Sequence, residues 1–364
     1  MTVTIRHGDC REVLRTLPAE SVHCCVTSPP YFGLRDYGVA GQIGLEPTPD
    51  AFVAELVSLF GEVRRVLRDD GTLWLNLGDS YAASGRGGNP DDSPHQKQSS
   101  NRGSRQFFQE YAVEQGAIGR KWVKPPEGYK PKDLIGVPWL AAFALRADGW
   151  YLRDAIVWAK PNGMPGSQQD RCTSSYEMIF QFSKSRHYWS DFDAIKTPPR
   201  ESSLIRTAQD LQAQAGSHRA NGGAKTNGTM KAVGGNADKQ RGHSRKHAGF
   251  NDRWDAMERT EQQAKPATMR NVWFVAPAQF KEAHYAVMPD EIARRCILAG
   301  CPDGGTVLDP FLGAGTTAMV ATRLGRDCIG IELNHENVGI ADRRIQGDAG
   351  MFANVNTVTP ADRT

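Results

Sequence analysis

Val307-Leu308-Asp309-Pro310-Phe311-Leu312-Gly313-Ala314-Gly315-Thr316-Thr317 decides the fold of this chain. An apolar run ends in an acid, a turn with two glycines follows, and residues 318–324 continue with helical character. Asp327-Cys328-Ile329-Gly330-Ile331-Glu332 then reads as a second short strand ending in an acid. Strand, Gly-x-Gly turn, helix, strand and terminal acid make a nucleotide-binding βαβ unit. Its glycines let backbone approach a ligand closely, and its acid can accept from ribose hydroxyls. The third glycine of the dinucleotide fingerprint is missing, which weakens a pyrophosphate reading.

A second signature lies almost three hundred residues earlier. Residues 22–26 read as a buried strand, and Ser28-Pro29-Pro30-Tyr31 follows where that strand ends. Two adjacent prolines stiffen the backbone and remove two amide donors, while their carbonyls stay available as acceptors. Such a loop suits a planar heterocycle, stacked on Tyr31, whose NH2 donates to the Ser28 hydroxyl and the Pro29 carbonyl. An ordinary proline turn ending a strand is the plainer reading of the same four residues.

Together the two motifs resemble the amino-methyltransferases of DNA. That family carries an Asp/Asn/Ser-Pro-Pro-Tyr/Phe catalytic loop and an Asp-Pro-Phe-x-Gly-x-Gly-Thr-Thr loop for S-adenosylmethionine. The order here, catalytic loop first and cofactor loop last, resembles the β class, in which the cofactor half of the sheet is circularly permuted to the C-terminus. The resemblance covers roughly residues 1–80, 133–200 and 267–345. It implies a doubly wound α/β fold: a mostly parallel, seven-stranded Rossmann-like methyltransferase sheet, permuted, with an inserted target-recognition region.

The resemblance also implies roles. Ser28 and the Pro29 carbonyl would accept from the target amine, with Pro30 as scaffold and Tyr31 as stacking platform. Asp309, Phe311, Gly313 and Gly315 would line the methionine and ribose end of S-adenosylmethionine, and Glu332 would take the ribose hydroxyls. Asp9 matches the position that accepts from the adenine amine, or it caps a helix. Thr316 and Thr317 donate to the cofactor carboxylate, or start the helix. Trp158-Ala159-Lys160-Pro161-Asn162 resembles the family's segment near the target base, so Lys160 and Asn162 are candidates for contacting the flipped nucleotide; a structural turn is the alternative. Ser175-Tyr176-Glu177 has Tyr where the family often has His, and Glu177 is read as a member of an internal polar network.

Composition sets outer bounds. The chain has 364 residues, long enough for one large domain with insertions or for two domains. Its net charge of +3 is too small to imply nucleic acid by itself, but its distribution is uneven. Between His218 and His247 stand seven Lys or Arg, including Arg219, Lys225, Arg241, Arg245 and Lys246, against the single acid Asp238. Cations neutralise phosphates, so these five are candidate DNA contacts; a solvated linker is the plain alternative. The seven cysteines are odd in number and contain no Cys-x-x-Cys pair, so neither a zinc site nor a disulfide framework is expected, and no metal is called for. No segment is long and apolar enough to span a membrane, and a cytoplasmic protein is expected.

Along the chain, 1–81 reads as the catalytic half, with strands at 3–5, 22–26 and 72–77, helices at 10–17 and 50–67, and a turn at Asp69-Asp70-Gly71. Residues 82–132 read as a surface insertion, 133–200 as the catalytic half continued and opening with a helix over 133–147, 201–266 as a basic, partly disordered target-recognition insert, 267–350 as the cofactor half and 351–364 as a flexible tail.

The function expected is methyl transfer from S-adenosylmethionine to the exocyclic amine of a flipped base in double-stranded DNA. Ser28 leans the choice to N4 of cytosine, because family members with Asp at that place more often modify adenine. N6 of adenine is the first alternative. An RNA or protein-glutamine methyltransferase, a nicotinamide enzyme and a non-catalytic DNA-binding module come behind it. A homodimer and a separate restriction endonuclease are the further partners considered.

Overall fold

The computed structural model describes residues 1–34, 37–82, 125–163, 169–198, 268–278, 287–349 and 354–359. The chain divides into two compact units, Met1–Ala194 with Arg270–Thr364, and Ile195–Met269. Nearly all of the second unit, and with it the expected insert 201–266, lies outside the described residues, as do 83–124 of the first insertion.

In chain order the first unit runs β1 (Thr2–His7), α1 (Cys10–Thr16), β2 (Val22–Thr27), α2 (Pro49–Val66), β3 (Leu67–Leu77), α3 (Val137–Ala147), β4 (Tyr151–Ala159) and β5 (Tyr176–Ser183). It resumes with β6 (Val272–Phe274), α4 (Asp290–Gly300), β7 (Thr306–Asp309), α5 (Thr316–Arg323), β8 (Asp327–Glu332), α6 (His335–Ala349) and β9 (Asn354–Val358). Among the described residues the strands form one nine-stranded sheet in the order β6-β4-β5-β3-β2-β7-β8-β1-β9. All neighbours are parallel except β5, which runs antiparallel to both β3 and β4. The seven expected strands are present, and the short β6 and β9 extend the two edges.

The permutation is visible in this order. β7 and β8, from the end of the chain, sit between β2 and β1, from its beginning. Parallel central strands carry helices on both faces and are buried on both, so they read as near-continuous apolar runs. β2 is buried at five of its six positions, and Leu73, Trp74 and Leu75 of β3 are all buried. Leu73, Leu75 and Leu77 join the core beneath α1, α2 and α3. Trp74 points to the other face, where a Cβ on Gly300 of α4 would come within 2.3 Å of its ring nitrogen.

Local chemistry sets most boundaries. Thr48 caps α2, its hydroxyl accepting from Ala51 N at 3.1 Å, and Pro49 follows where a missing N–H costs nothing. Phe52, Leu56, Leu59, Phe60 and Val63 then form the buried stripe.

Three expectations need correction. The helix expected over 133–147 begins only at Val137, because Gly136 at φ 80° and Pro138 in the first turn set the start there. Asp69-Asp70-Gly71 lies within β3 rather than before it. The pairing nevertheless jumps from Val22↔Leu67 to Cys24↔Thr72, so Arg68, Asp69 and Asp70 form an exposed excursion in the strand, which Gly71 brings back to a buried position. Finally, residues 354–358 are not a free tail. They pair with β1 as β9, which covers an edge that would otherwise expose unpaired backbone groups.

Candidate active site

The carboxyl ends of β2, β7 and β8 lie side by side, since Cys25 pairs with Leu308 and Asp309 with Gly330. In a parallel sheet the loops that follow such strands emerge at one edge, the usual place for a ligand crevice. Here residues of the loops after β2 and β7 together line a cavity of ≈ 320 Å³, within the size range of small-molecule sites. Ser28, Pro29, Pro30 and Tyr31 line it together with Asp309, Phe311, Gly313, Thr316, Thr317 and Glu332, and Asp9, just after β1, lines it too.

A short hydrogen bond ties the two loops. Thr27 Oγ1 donates to Asp309 Oδ1 at 2.7 Å, and the backbone N–H of Phe311 donates to the same oxygen at 3.0 Å. Asp309 is buried, and burial pushes its carboxyl up to about 6 in spite of these donors. The Thr317 hydroxyl reaches back 3.5 Å to the carbonyl of Val26.

Glu332 anchors the turn from below. Its Oε2 accepts from Gly313 N at 2.8 Å, and its Oε1 accepts from Asn334 N at 2.8 Å and Asn337 Nδ2 at 3.4 Å. Burial raises its pKa above the ordinary value, against the pull of those N–H donors. Gly315, by contrast, does not line the cavity. It sits at φ 83° as the N-cap of α5, and a Cβ there would lie 3.0 Å from the Cβ of Ala341. Its place in the motif is explained by helix packing. Thr316 lines the cavity, but its hydroxyl also receives Arg344 Nη1 of α6 at 3.4 Å.

Asp9 is a helix cap that also stands at the cavity. It caps α1 by accepting from Arg11 N at 2.9 Å. The Arg11 guanidinium grips both carboxylate oxygens, with Nη2 2.5 Å from Oδ2, and reaches on to Glu55 and to the carbonyl of Gly41. Burial works to raise the Asp9 pKa, but the hydrogen bonds and charge of Arg11 leave it below the ordinary value. Arg11 thereby joins the glycine-rich segment after Tyr31 to the rim of β1.

The Ser-Pro-Pro-Tyr loop is held from behind by a polar network. Ser28 Oγ donates to Tyr31 Oη at 3.3 Å, and Tyr31 Oη lies 2.5 Å from Glu177 Oε2 and 3.2 Å from Asn76 Oδ1. A phenol has one proton, and the short contact to a carboxylate takes it. Asn76 Nδ2 donates to the same Glu177 oxygen at 3.1 Å, and Lys160 Nζ pairs with the other. Burial, then the Glu177 carboxylate, push the Tyr31 phenol well above its usual range, so it stays a donor. The Tyr31 ring packs on Gly78: a Cβ at that position would come within 2.5 Å of Cε2.

Lys160 lines the cavity, beside the face of Trp158 at 4.7 Å. Asn162 is exposed and does not line it. Arg219, Lys225, Arg241, Arg245 and Lys246 lie outside the described residues. Sequence reasoning missed Arg11, Asn76, Gly78, Asn334 and Arg344. Asn76 did carry a signal, a polar side chain inside an apolar strand, and it is buried.

The comparisons with known proteins agree with one another. A family model described as DNA methylase, of the N6/N4 type, matches residues 22–343. The Type II methyltransferase M.SmaI of Serratia marcescens is 39% identical over 338 residues, spanning 93% of this chain and 89% of that protein. The structure of the PvuII DNA methyltransferase, cytosine-N4-specific, aligns with a TM-score of 0.54 at 14% identity, covering 100% of this chain and 98% of its own. TTHA0409 of Thermus thermophilus, solved in complex with S-adenosyl-L-methionine, aligns with a TM-score of 0.52 at 21% identity, covering 97% and 99%. At those identities the two structures speak for the fold.

Proposed function

The chain belongs to the N6/N4 DNA methylase family, and from that premise we propose that it methylates the exocyclic amine of a base flipped out of duplex DNA, with N4 of cytosine the favoured target. The observation that carries this reading is the shared cavity, lined by both Ser28 and Gly313, with their loops joined through Thr27 and Asp309.

The cavity residues fit S-adenosylmethionine. A glycine turn backed by a buried acid presents an uncluttered backbone and a carboxylate, which suit a nucleoside. When bound, the cofactor supplies a methyl group already activated on a positively charged sulfur. Glu332 would hold the ribose hydroxyls, itself kept in place by Gly313 and Asn334. Phe311 and Asp309 form the wall towards the Ser-Pro-Pro-Tyr loop.

An exocyclic amine is a poor nucleophile because its lone pair is delocalised into the ring. Ser28 Oγ and the Pro29 carbonyl accept its two hydrogens and favour the pyramidal nitrogen of the transition state, a preorganised stabilisation of developing charge. A target inside a duplex cannot reach this cavity, so the base must leave the stack. Lys160, in the cavity, is assigned to the flipped nucleotide, and the cations at 219, 225, 241, 245 and 246 to the DNA backbone, where each neutralised phosphate adds salt-dependent affinity. The Type II designation of the relative supports a separate restriction endonuclease as the functional partner.

The test is a nucleoside digest of duplex DNA treated with the protein and S-adenosylmethionine, read by mass spectrometry. N4-methylcytosine is expected. N6-methyladenine as the sole product would overturn the choice of base, and transfer to RNA or protein but not DNA would overturn the substrate class.

A further inference from the structure

Methylation leaves one proton too many on the target nitrogen, and the residues around Ser28 contain a route for it. We infer that Glu177 is the terminal acceptor of that proton, reached through Ser28 and Tyr31. The inference rests on the methyl transfer proposed above and adds a residue and a step to it.

The geometry is a directed chain of hydroxyls. Ser28 Oγ lines the cavity and donates to Tyr31 Oη at 3.3 Å. Tyr31 Oη in turn donates to Glu177 Oε2 at 2.5 Å. Both hydroxyl protons therefore point away from the cavity, and the Ser28 oxygen faces the amine as an acceptor. The shift conserves every atom. The N–CH3 bond forms as the S–CH3 bond breaks. One amine proton moves to Ser28 Oγ, the Ser28 proton to Tyr31 Oη, and the Tyr31 proton to Glu177 Oε2. The products are a neutral secondary amine, two intact hydroxyls and one carboxylic acid, which returns its proton to water through the cavity that Glu177 also lines.

The other carboxylates of the cavity are engaged elsewhere. Asp309 accepts from Thr27 and Phe311, Glu332 from Gly313 and Asn334, and Asp9 from Arg11. The hydrogen bonds described for Ser28 and Tyr31 lead instead to Glu177. Asn76 and Lys160 fix that carboxylate from two further directions, so the oxygen facing Tyr31 is held in place. Strand pairing supplies the frame: Trp158 of β4 stands opposite Glu177 of β5, which brings Lys160 alongside.

The experiment compares wild type, Glu177→Gln, Glu177→Asp, Tyr31→Phe and the Tyr31→Phe/Glu177→Gln double variant in single-turnover methylation of duplex DNA, with cofactor and DNA affinities measured separately. Glutamine keeps an acceptor for Tyr31 but takes no proton. Its single-turnover rate is expected to fall by roughly 10²- to 10³-fold, the usual scale for losing proton transfer, with both affinities close to wild type. Tyr31→Phe is expected to lose a similar factor, the double variant no more than either single, and Glu177→Asp to recover part of the rate. A Glu177→Gln enzyme with the wild-type rate, or one whose loss lies in affinity alone, would overturn the relay while leaving methyl transfer standing. A wild type that methylates no DNA would overturn the parent reading, and the relay with it.

Discussion

The hydroxyl of Thr27 and the carboxylate of Asp309 are 282 residues apart in sequence and 2.7 Å apart in space. Each belongs to a different motif: Thr27 precedes Ser28, and Asp309 opens the turn that leads to Gly313. Both are buried at the meeting of β2 and β7. This bond joins the loop that carries Ser28 to the turn that carries Gly313.

Asp309 gives that junction a pH dependence. Its folded pKa of about 6 lies above the ordinary 3.8, so the folded state holds the proton more tightly. The stability gained is full below the unfolded pKa and is lost as pH rises through about 6. Compared with Asp309→Asn, the wild type is expected to lose on the order of 3 kcal/mol of unfolding free energy between acid and neutral pH. Urea unfolding of both proteins across that range is the measurement; parallel profiles would contradict the assignment.

Gly78 gives Tyr31 its seat. Gly78→Ala places a methyl within 2.5 Å of the ring, so the ring must move. Displacement of about an ångström at a reacting centre typically costs about 10²-fold in rate. The variant is expected to stay folded by circular dichroism, destabilised by about 1–3 kcal/mol from overpacking, and to lose most of its methylation rate.

Gly315 is expected to act on stability. Gly315→Ala puts a side chain at φ 83° and against Ala341 of α6, so both strain and crowding oppose it. A lowered urea midpoint worth roughly 1–3 kcal/mol is expected.

These three residues also mark how far the sequence could be read. The βαβ unit at the end of the chain was legible because strand, turn and helix are local, and the acid at its end, Glu332, stands where expected. Thr48 and Pro49 announce α2 in the same local way. The Tyr31–Glu177–Lys160 contacts were not legible as a set: they join the ends of β2, β4 and β5, and the pairing of β4 with β5 is a tertiary fact. Gly78 was invisible because a glycine after a strand reads as a turn, whatever ring lies over it. Helix α6 has a thin apolar stripe, with Val338, Ile340, Ala341 and Ile345 buried among polar neighbours, and β9 is short and half-polar. Both are held by tertiary contacts that override a weak local pattern. The second glycine of the turn, Gly315, matched the motif yet serves packing.

Glu332→Gln tests the cofactor wall. Glutamine offers one oxygen where two now receive the N–H groups of Gly313 and Asn334, so a donor is left facing a donor. The dissociation constant for S-adenosylmethionine, measured by calorimetry, is expected to rise at least about tenfold, equivalent to about 1.4 kcal/mol.

The most direct test of the shared cavity is methyl transfer from labelled S-adenosylmethionine to duplex DNA by wild type and Ser28→Ala, with cofactor binding measured on the same samples. The account predicts label in DNA for wild type, and in Ser28→Ala a loss of roughly 10²-fold or more in rate with unchanged cofactor affinity. Undiminished transfer by Ser28→Ala would contradict it.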